Sequence, residues 1–375
     1  MITQYASADE GLVGFEWTFT NSDLVKNFRN TPVNPDLPAL PGRGLIDQID
    51  VSSNVINSLQ NSSISQASNA WIEEIKKDCP SCLFEGRKVH TPDGFWFQIT
   101  MDQTVLEVIT EPMTHKQLLK RSEILDRLVW KAAKRVNLVP HKRLGGGHLH
   151  LDIETNFKGD RKLFRNFVVD LVNRPELFMG GFGLNYFNAP PLSFYGSKAL
   201  KSFSKIISNF DKKENISVSD LMVSINEFYE TLSHPVTPTP DAKFQALNFK
   251  HFDFGTLEIR GVRPQINVEH AERLVKIFQA RIKVLKKQKT LIKVRVPDLS
   301  KSYRTTRENG YRFYSHNLTA KQILKSVEAY ALDAGLEHDF YNNFVTEELI
   351  ENLKLEAKTK KASRYKSAGS CGAFL

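Results

Sequence analysis

The chain has 375 residues, 41% hydrophobic and 25% charged, enough to bury a large core in one or two domains and ordinary for a globular protein. Its net charge of +9, from 51 basic and 42 acidic residues, gathers in two stretches, Arg281 to Arg295 and Lys354 to Lys366. No run is long and apolar enough to cross a membrane, and the start at Met1–Tyr5 lacks a basic region followed by an apolar one, so a cytoplasmic chain is expected.

The basic stretches read as a solvated helix end and a solvated tail, compatible with acidic or phosphorylated ligands. Nucleic acid is not an expected partner, because no aromatic–basic RNA motif accompanies them. Three cysteines, Cys79, Cys82 and Cys371, are too few for a disulfide framework and fit a reducing compartment. The single Cys79-Pro80-Ser81-Cys82 is a weak zinc or redox motif.

Residues 11–19 read as a strand with Phe15, Trp17 and Phe19 on one face and Glu16 and Thr18 on the other. A Pro-rich loop (31–41) and a Ser/Asn-rich, partly helical stretch (52–69) follow. Residues 95–101 and 104–110, separated by Asp102-Gln103, read as a hairpin. Thr114 to Gln117 forms a capping box that opens a helix over 114–137, with an apolar stripe through Leu118, Leu125, Leu128 and Ala132.

Next comes Gly145-Gly146-Gly147-His148-Leu149-His150-Leu151-Asp152-Ile153-Glu154. Strict alternation puts His148, His150, Asp152 and Glu154 on one strand face and the aliphatic residues on the other. A helix over 161–173 stops before Pro175. A Gly-, Pro- and aromatic-rich loop spans 177–196, another helix spans 219–232, and 234–240 is a linker. Residues 255–263 read as a strand with Glu258 and Arg260 on its polar face. Asn267 caps a long helix with acids first and lysines last, as the macrodipole favours. Further helices open near Thr319 and Thr346. This order of elements predicts an α+β fold with an antiparallel sheet.

Carboxylates and imidazoles thus recur on one face of several strands: Glu16; Glu107 and Glu111; His148, His150 and Asp152; Glu258 beside Arg260. That mix suits Mg²⁺ or Mn²⁺, which accept oxygen ligands and leave positions for phosphate. Zinc would call for more His or Cys. Arginine nearby would neutralise developing phosphoryl charge.

Three segments in chain order resemble the amidoligases, carboxylate–amine ligases of the glutamine synthetase-like superfamily. Leu106-Glu107-Val108-Ile109-Thr110-Glu111-Pro112 is similar to the family's Glu-x-x-Thr-x-Pro strand. Gly147-His148-Leu149-His150-Leu151 is similar to Gly-x-His-x-His-Val. Lys243-Phe-Gln-Ala-Leu-Asn248 with Thr256-Leu257-Glu258-Ile259-Arg260 is similar to Tyr-x-x-Leu-Asn and Thr-Ile-Glu-Phe-Arg. Gly14-Phe15-Glu16 resembles the opening Gly-x-Glu-x-Glu strand.

The resemblance implies a glutamine synthetase-like catalytic fold: a curved antiparallel sheet with helices on one side, over residues 1–300, before a helical extension with a basic tail over 301–375. It implies ATP-dependent joining of a small-molecule or peptide carboxylate to an amine through an acyl phosphate. Glu16, Glu107, His148, His150 and Glu258 would hold Mg²⁺ or Mn²⁺. Glu107, Arg260 and Arg263 would serve the chemistry, and Lys243, Asn248 and Arg260 the nucleotide. Thr18, where the first strand's second acid would stand, and Gln98 depart from the pattern and leave the number of ions open. The alternatives are a metal-dependent hydrolase built on the His-x-His strand and a non-catalytic basic binding protein.

Overall fold

The strand with alternating aromatics, β1 (Val13–Phe19), is central to the structure. The structure is a computed structural model that describes residues 10–22, 24, 63–101, 105–140, 146–179, 181–182, 189–232, 245–296, 303–308, 311–316, 318 and 320–337. Lys243, Gly145, Cys371, the 31–41 loop, the 234–240 linker, the helix expected from Thr346 and the basic tail lie outside the described residues.

The other strands of its sheet are β2 (Leu83–Glu85), β3 (Lys88–His90), β4 (Trp96–Met101), β5 (Leu106–Thr110), β6 (Gly147–Asp152), β7 (Leu247–Asn248) and β8 (Thr256–Ile259). They form one open antiparallel sheet in the order β2-β3-β4-β5-β1-β6-β8-β7. β4 and β5 pair as the expected hairpin, and β1 lies between β5 and β6. The α+β class expected from the element order is the one the chain forms.

The period of two divides the sheet into unlike faces. Phe15, Trp17, Val108, Leu149 and Ile259 point to one side and are at most 1% exposed. Helices cover that side. Trp17 packs on Trp130 with ring centroids 4.5 Å apart, and Phe19 meets Trp71 of α1 (Ser63–Asp78) at 4.8 Å. Each large side chain so buried stabilises the fold by about 1.5–3 kcal/mol. The opposite face carries Glu16, Glu107, His148, His150 and Glu258, set there by the registers Glu16↔His148, Thr18↔Glu107 and His150↔Glu258.

The helix expected over 114–137 begins as predicted, with a capping box at Thr114, but it is not continuous. Arg121 leaves helical geometry, and Asp126–Lys131 forms a π turn. The wider turn lets three consecutive residues, Leu128, Val129 and Trp130, all face the core. The Trp130 indole then donates to the Gln265 carbonyl at 2.9 Å.

Before residue 300 the described residues form four further long helices: α2 (Arg161–Val172), α3 (Gly196–Lys212), α4 (Val218–Glu230) and α5 (Val268–Lys286). α3 was not foreseen; most of it follows the aromatic-rich loop, which itself holds two short 3-10 turns. Asn267 caps α5 as expected. Arg281, however, is not part of a solvated helix end. It is 7% exposed and forms two hydrogen bonds to Asp170 of α2, at 2.8 and 2.6 Å. Beyond residue 300 the chain forms a separate two-stranded ribbon, β9 (Tyr303–Glu308) and β10 (Tyr311–His316), then α6 (Ala320–Asp333). Ile323, Val327 and Tyr330 of α6 are fully buried in the same hydrophobic cluster as the sheet.

Cys79 and Cys82, the residues of the C-x-x-C motif, are joined by a disulfide. At the end of α1 the Cys82 N–H donates to the Cys79 carbonyl at 3.1 Å, and this turn brings the two Cα atoms to 5.3 Å, within bridging range. It is a local clip rather than a framework. Among the described residues no helix is long and apolar enough to cross a membrane.

Candidate active site

Three strands bring the central groups together. Glu16 (β1), His148 (β6) and Glu258 (β8) place ligand-capable atoms within 4.8 Å of one another. His148 Nδ1 lies 2.7 Å from Glu16 Oε2 and 3.1 Å from Glu258 Oε1. His150, two residues on and therefore on the same face, sets Nε2 3.0 Å from Glu16 Oε1.

The glycines before His148 act through close approach more than flexibility. A Cβ at Gly147 would sit 2.0 Å from Gln265 Nε2 and 2.4 Å from the Arg263 carbonyl oxygen. At Gly146 it would meet the His148 ring at 2.1 Å. Only glycine leaves room for the imidazole and for the neighbouring 263–265 backbone. Thr18, standing where a second acid was sought, is buried and donates to the Gly146 carbonyl at 2.8 Å. It fixes the start of the histidine strand instead of offering a carboxylate.

Glu258 is fully buried. Arg260 Nη1 donates to its Oε1 at 2.9 Å, and Asn248 Nδ2, directly across the β7–β8 pair, donates to its Oε2. Burial opposes ionisation, but the Arg260 charge, the contact with His251 and the charges of His148 and His150 outweigh it, and the carboxyl is held down at about 2. Glu16 behaves alike: burial pushes it up, and the contacts and charges of His148 and His150 bring it well below the usual carboxylate range. For His150, burial disfavours the imidazolium, yet Glu16 and Glu258 prevail and raise its pKa. Two ionised carboxylates thus face a group of cationic or donating side chains, in a site largely closed to water.

The other expected residues are placed differently. Glu107 lies on the same face, opposite Thr18 and so two residues along β5 from the partner of Glu16, and it is outside the converging triad. Arg263 is buried, its charge felt by His270 at the start of α5. Gln98 is exposed on β4, two strands from β1. Glu111 lies 3.7 Å from Arg121 at the sheet end, where burial raises its pKa. Asp152 ends β6 and caps the short helix Ile153–Phe157, accepting from the Thr155 N–H at 2.8 Å. Glu154 is inside that helix, so it does not share a strand face with the histidines. His115 lies 2.7 Å from Glu272 of α5, a helix-to-helix contact away from the triad.

The sequence reading missed His251. It sits in the 3-10 turn Lys250–Phe254 between β7 and β8, with Nε2 3.3 Å from Glu258 Oε2 and its ring centroid 5.6 Å from that of His150. The signal was an imidazole in a short connection between two site strands, which must return to the face those strands share.

No protein-family model matches the chain, and no curated protein does. Among solved structures, apo GmaS aligns over 94% of this chain and 70% of its own at 12% identity, with a TM-score of 0.38. A GmaS/ADP complex aligns over 94% and 71% at 10% identity, with a TM-score of 0.40. The complex of the prokaryotic ubiquitin-like protein Pup with its ligase PafA aligns over 96% and 70% at 10% identity, with a TM-score of 0.35. Likenesses of this size assign no activity to the chain.

Proposed function

We propose that the chain is an ATP-dependent carboxylate–amine ligase that uses Mg²⁺ or Mn²⁺ and forms an amide or isopeptide bond through an acyl phosphate. The observation that carries the reading is the convergence of Glu16, His148 and Glu258, from three strands, beside the Arg260 guanidinium. The donor set fits a divalent cation: two ionised carboxylates and an imidazole, turned toward one another in a buried place. Glu16, His148 and Glu258 would hold the ion, with His150 and Glu107 beside them. When bound, it would shield phosphate charge and polarise the transferred phosphoryl group.

The chain's own groups supply the rest. Arg260 spends one guanidinium nitrogen on Glu258, while its buried Nε has no hydrogen-bond partner among the described residues. That donor suits a phosphoryl oxygen, which accepts from guanidinium in a fixed geometry. Asn248 holds Glu258 in orientation through its amide and fixes the following turn by accepting from the Lys250 N–H at 2.9 Å. Arg263 and Lys243 are assigned to substrate and nucleotide on the motif resemblance alone. In the overall reaction the substrate carboxylate takes the terminal phosphoryl group of ATP and releases ADP; the amine then attacks the acyl carbon and phosphate leaves. A thermal shift with ATP plus Mg²⁺, absent in Glu258→Gln, is the expected result. No shift with any nucleotide and divalent ion would contradict the reading.

One observation favours a second reading. His251 adds a third imidazole, which moves the donor mix toward that of a metal-dependent hydrolase. Tightly bound zinc in the purified protein, with hydrolysis of amide substrates in the absence of ATP, would select it.

A further inference from the structure

The β2–β3 hairpin is shorter than β4, the strand it pairs with, and it leaves a step at the sheet edge. β3 pairs with β4 through Lys88↔Gln98, and the Ile99 N–H still donates to the Arg87 carbonyl at 3.0 Å. At Gly86-Arg87 the chain turns between β2 and β3, where Glu85 pairs with Lys88, so the hairpin does not reach Met101. Along an antiparallel strand the backbone groups of alternate residues point to the same side. Those of Ile99 point toward β3, and those of Met101 therefore point the same way, past the end of the hairpin. Among the described residues no strand pairs with Met101 on that side.

This step is a cavity of about 750 Å³, the size of a small-molecule site. One face of α1, with Asn69, Ile72, Glu73 and Lys76 at helical spacing, lines it together with Arg87 and residues 98–101 of β4. Ile72, Ile99 and Met101 give it apolar walls. Glu73 and Lys76 bond each other at 2.8 Å, so their charges offset. Arg87 is the charge left over. Its Nη2 makes one long hydrogen bond, 3.4 Å to the Ser65 hydroxyl, and its Nε is buried with no partner among the described residues. A buried charged donor without an acceptor is costly, and a carboxylate satisfies two guanidinium donors at once. The site thus offers a cation, an outward backbone N–H and an apolar wall.

We propose that this cavity is a second binding site, for an N-acylated amino acid with an apolar side chain. The carboxylate takes the Arg87 guanidinium, the acyl carbonyl accepts from the Met101 N–H, and the side chain lies beside Ile72 and Met101. A single unbalanced cation suits a monoanion, whereas a nucleotide's phosphates call for more positive charge. The cavity is at β4, two strands from β1 and about 10 Å from it at the spacing of neighbouring strands. It therefore rests neither on the Glu16–His148–Glu258 triad nor on the ligase chemistry.

The test is calorimetric titration of the full chain, without metal or nucleotide, with N-acetyl-L-leucine and with its neutral amide, N-acetyl-L-leucinamide. The unsubstituted protein, Arg87→Gln and Asn69→Trp are compared. The acid is expected to bind with a Kd on the order of 1 mM or tighter, and the amide roughly tenfold or more weakly. Arg87→Gln loses roughly tenfold or more in affinity for the acid. Asn69 is exposed on α1, so Asn69→Trp places a ring in the cavity without disturbing the core and abolishes binding. That variant keeps Arg87 and decides the matter even where Arg87→Gln fails to fold. No saturable binding of the acid, equal affinity for acid and amide, or full affinity in either folded variant overturns the proposal. Inorganic phosphate that displaces the acid with equal affinity overturns it too, since Arg87 would then be a general anion contact.

Discussion

Glu258→Gln is the most informative single change, because Glu258 is fully buried and holds the site's partners together. Glutamine keeps the shape but removes the charge. Arg260, 2.9 Å away, and His148, 3.1 Å away, then face a neutral amide in a largely buried place. Removing one partner of a buried ionic group costs about 3–5 kcal/mol, since the remaining charge stays desolvated. For a chain of this size about 2 °C of melting temperature accompanies each kcal/mol, so metal-free Glu258→Gln melts about 6–10 °C lower. A ligand at 100 times its Kd stabilises the native state by about 2.7 kcal/mol, so saturating Mn²⁺ raises the melting temperature of the unsubstituted protein by about 5 °C. That rise disappears in the variant. Differential scanning calorimetry with and without Mn²⁺ reads both effects. A variant that melts with the unsubstituted protein and keeps its full Mn²⁺ shift would refute the account of Glu258 as an ionised, ligand-holding carboxylate.

Gly147→Ala forces a methyl group against Gln265 and the Arg263 carbonyl, and backbone does not yield cheaply, so a loss of about 1–3 kcal/mol is expected in urea unfolding. Wild-type stability in that variant would show that the strand start is loosely packed. Arg281→Met removes one side of the buried pair with Asp170; a loss of about 3 kcal/mol or more with metal affinity unchanged is expected, because the pair lies in the helical layer and not in the site. Burial, then the charges of Arg263 and Arg273, hold the His270 pKa well below 6.5. The unfolded chain therefore takes up a proton that the native state refuses, and this group costs stability as pH falls below 6.5, by up to about 1.4 kcal/mol per pH unit. Unfolding of metal-free His270→Asn between pH 7.5 and 5.5 should lose that component of the slope; an unchanged slope would contradict it.

The parts of the fold legible in the sequence were those with a local period. Phe15, Trp17 and Phe19 alternate, and so do Leu149 and Leu151, and each gave its strand and its buried face. Thr114 and Asn267 marked helix starts through side-chain caps that are local by nature. That Glu16, His148 and Glu258 of the candidate site share one face was legible for the same reason: their strands hide apolar neighbours on the other side. What depends on distant partners was hidden. The π turn at Asp126–Lys131 answers to the packing of Trp130 on Trp17 and Gln265. The exclusion of Arg281 from solvent depends on Asp170, 111 positions away. Thr18 looked like a missing acid because its partner, the Gly146 carbonyl, arrives from another strand. His251 belongs to no repeat, and only the return of its turn to the β7–β8 face brings it to Glu258.

The central claim is ATP-driven joining of a carboxylate to an amine at the Glu16–His148–Glu258 site. Its most direct test is product mass, read with ADP release, after incubation with ATP, Mg²⁺ or Mn²⁺ and a pool of amino acids, peptides and amines. The account predicts a product with the mass of acid plus amine less water, formed one-for-one with ADP and phosphate and absent in Glu258→Gln. Amide hydrolysis without ATP, or no ADP with any acid and amine in the pool, would contradict it.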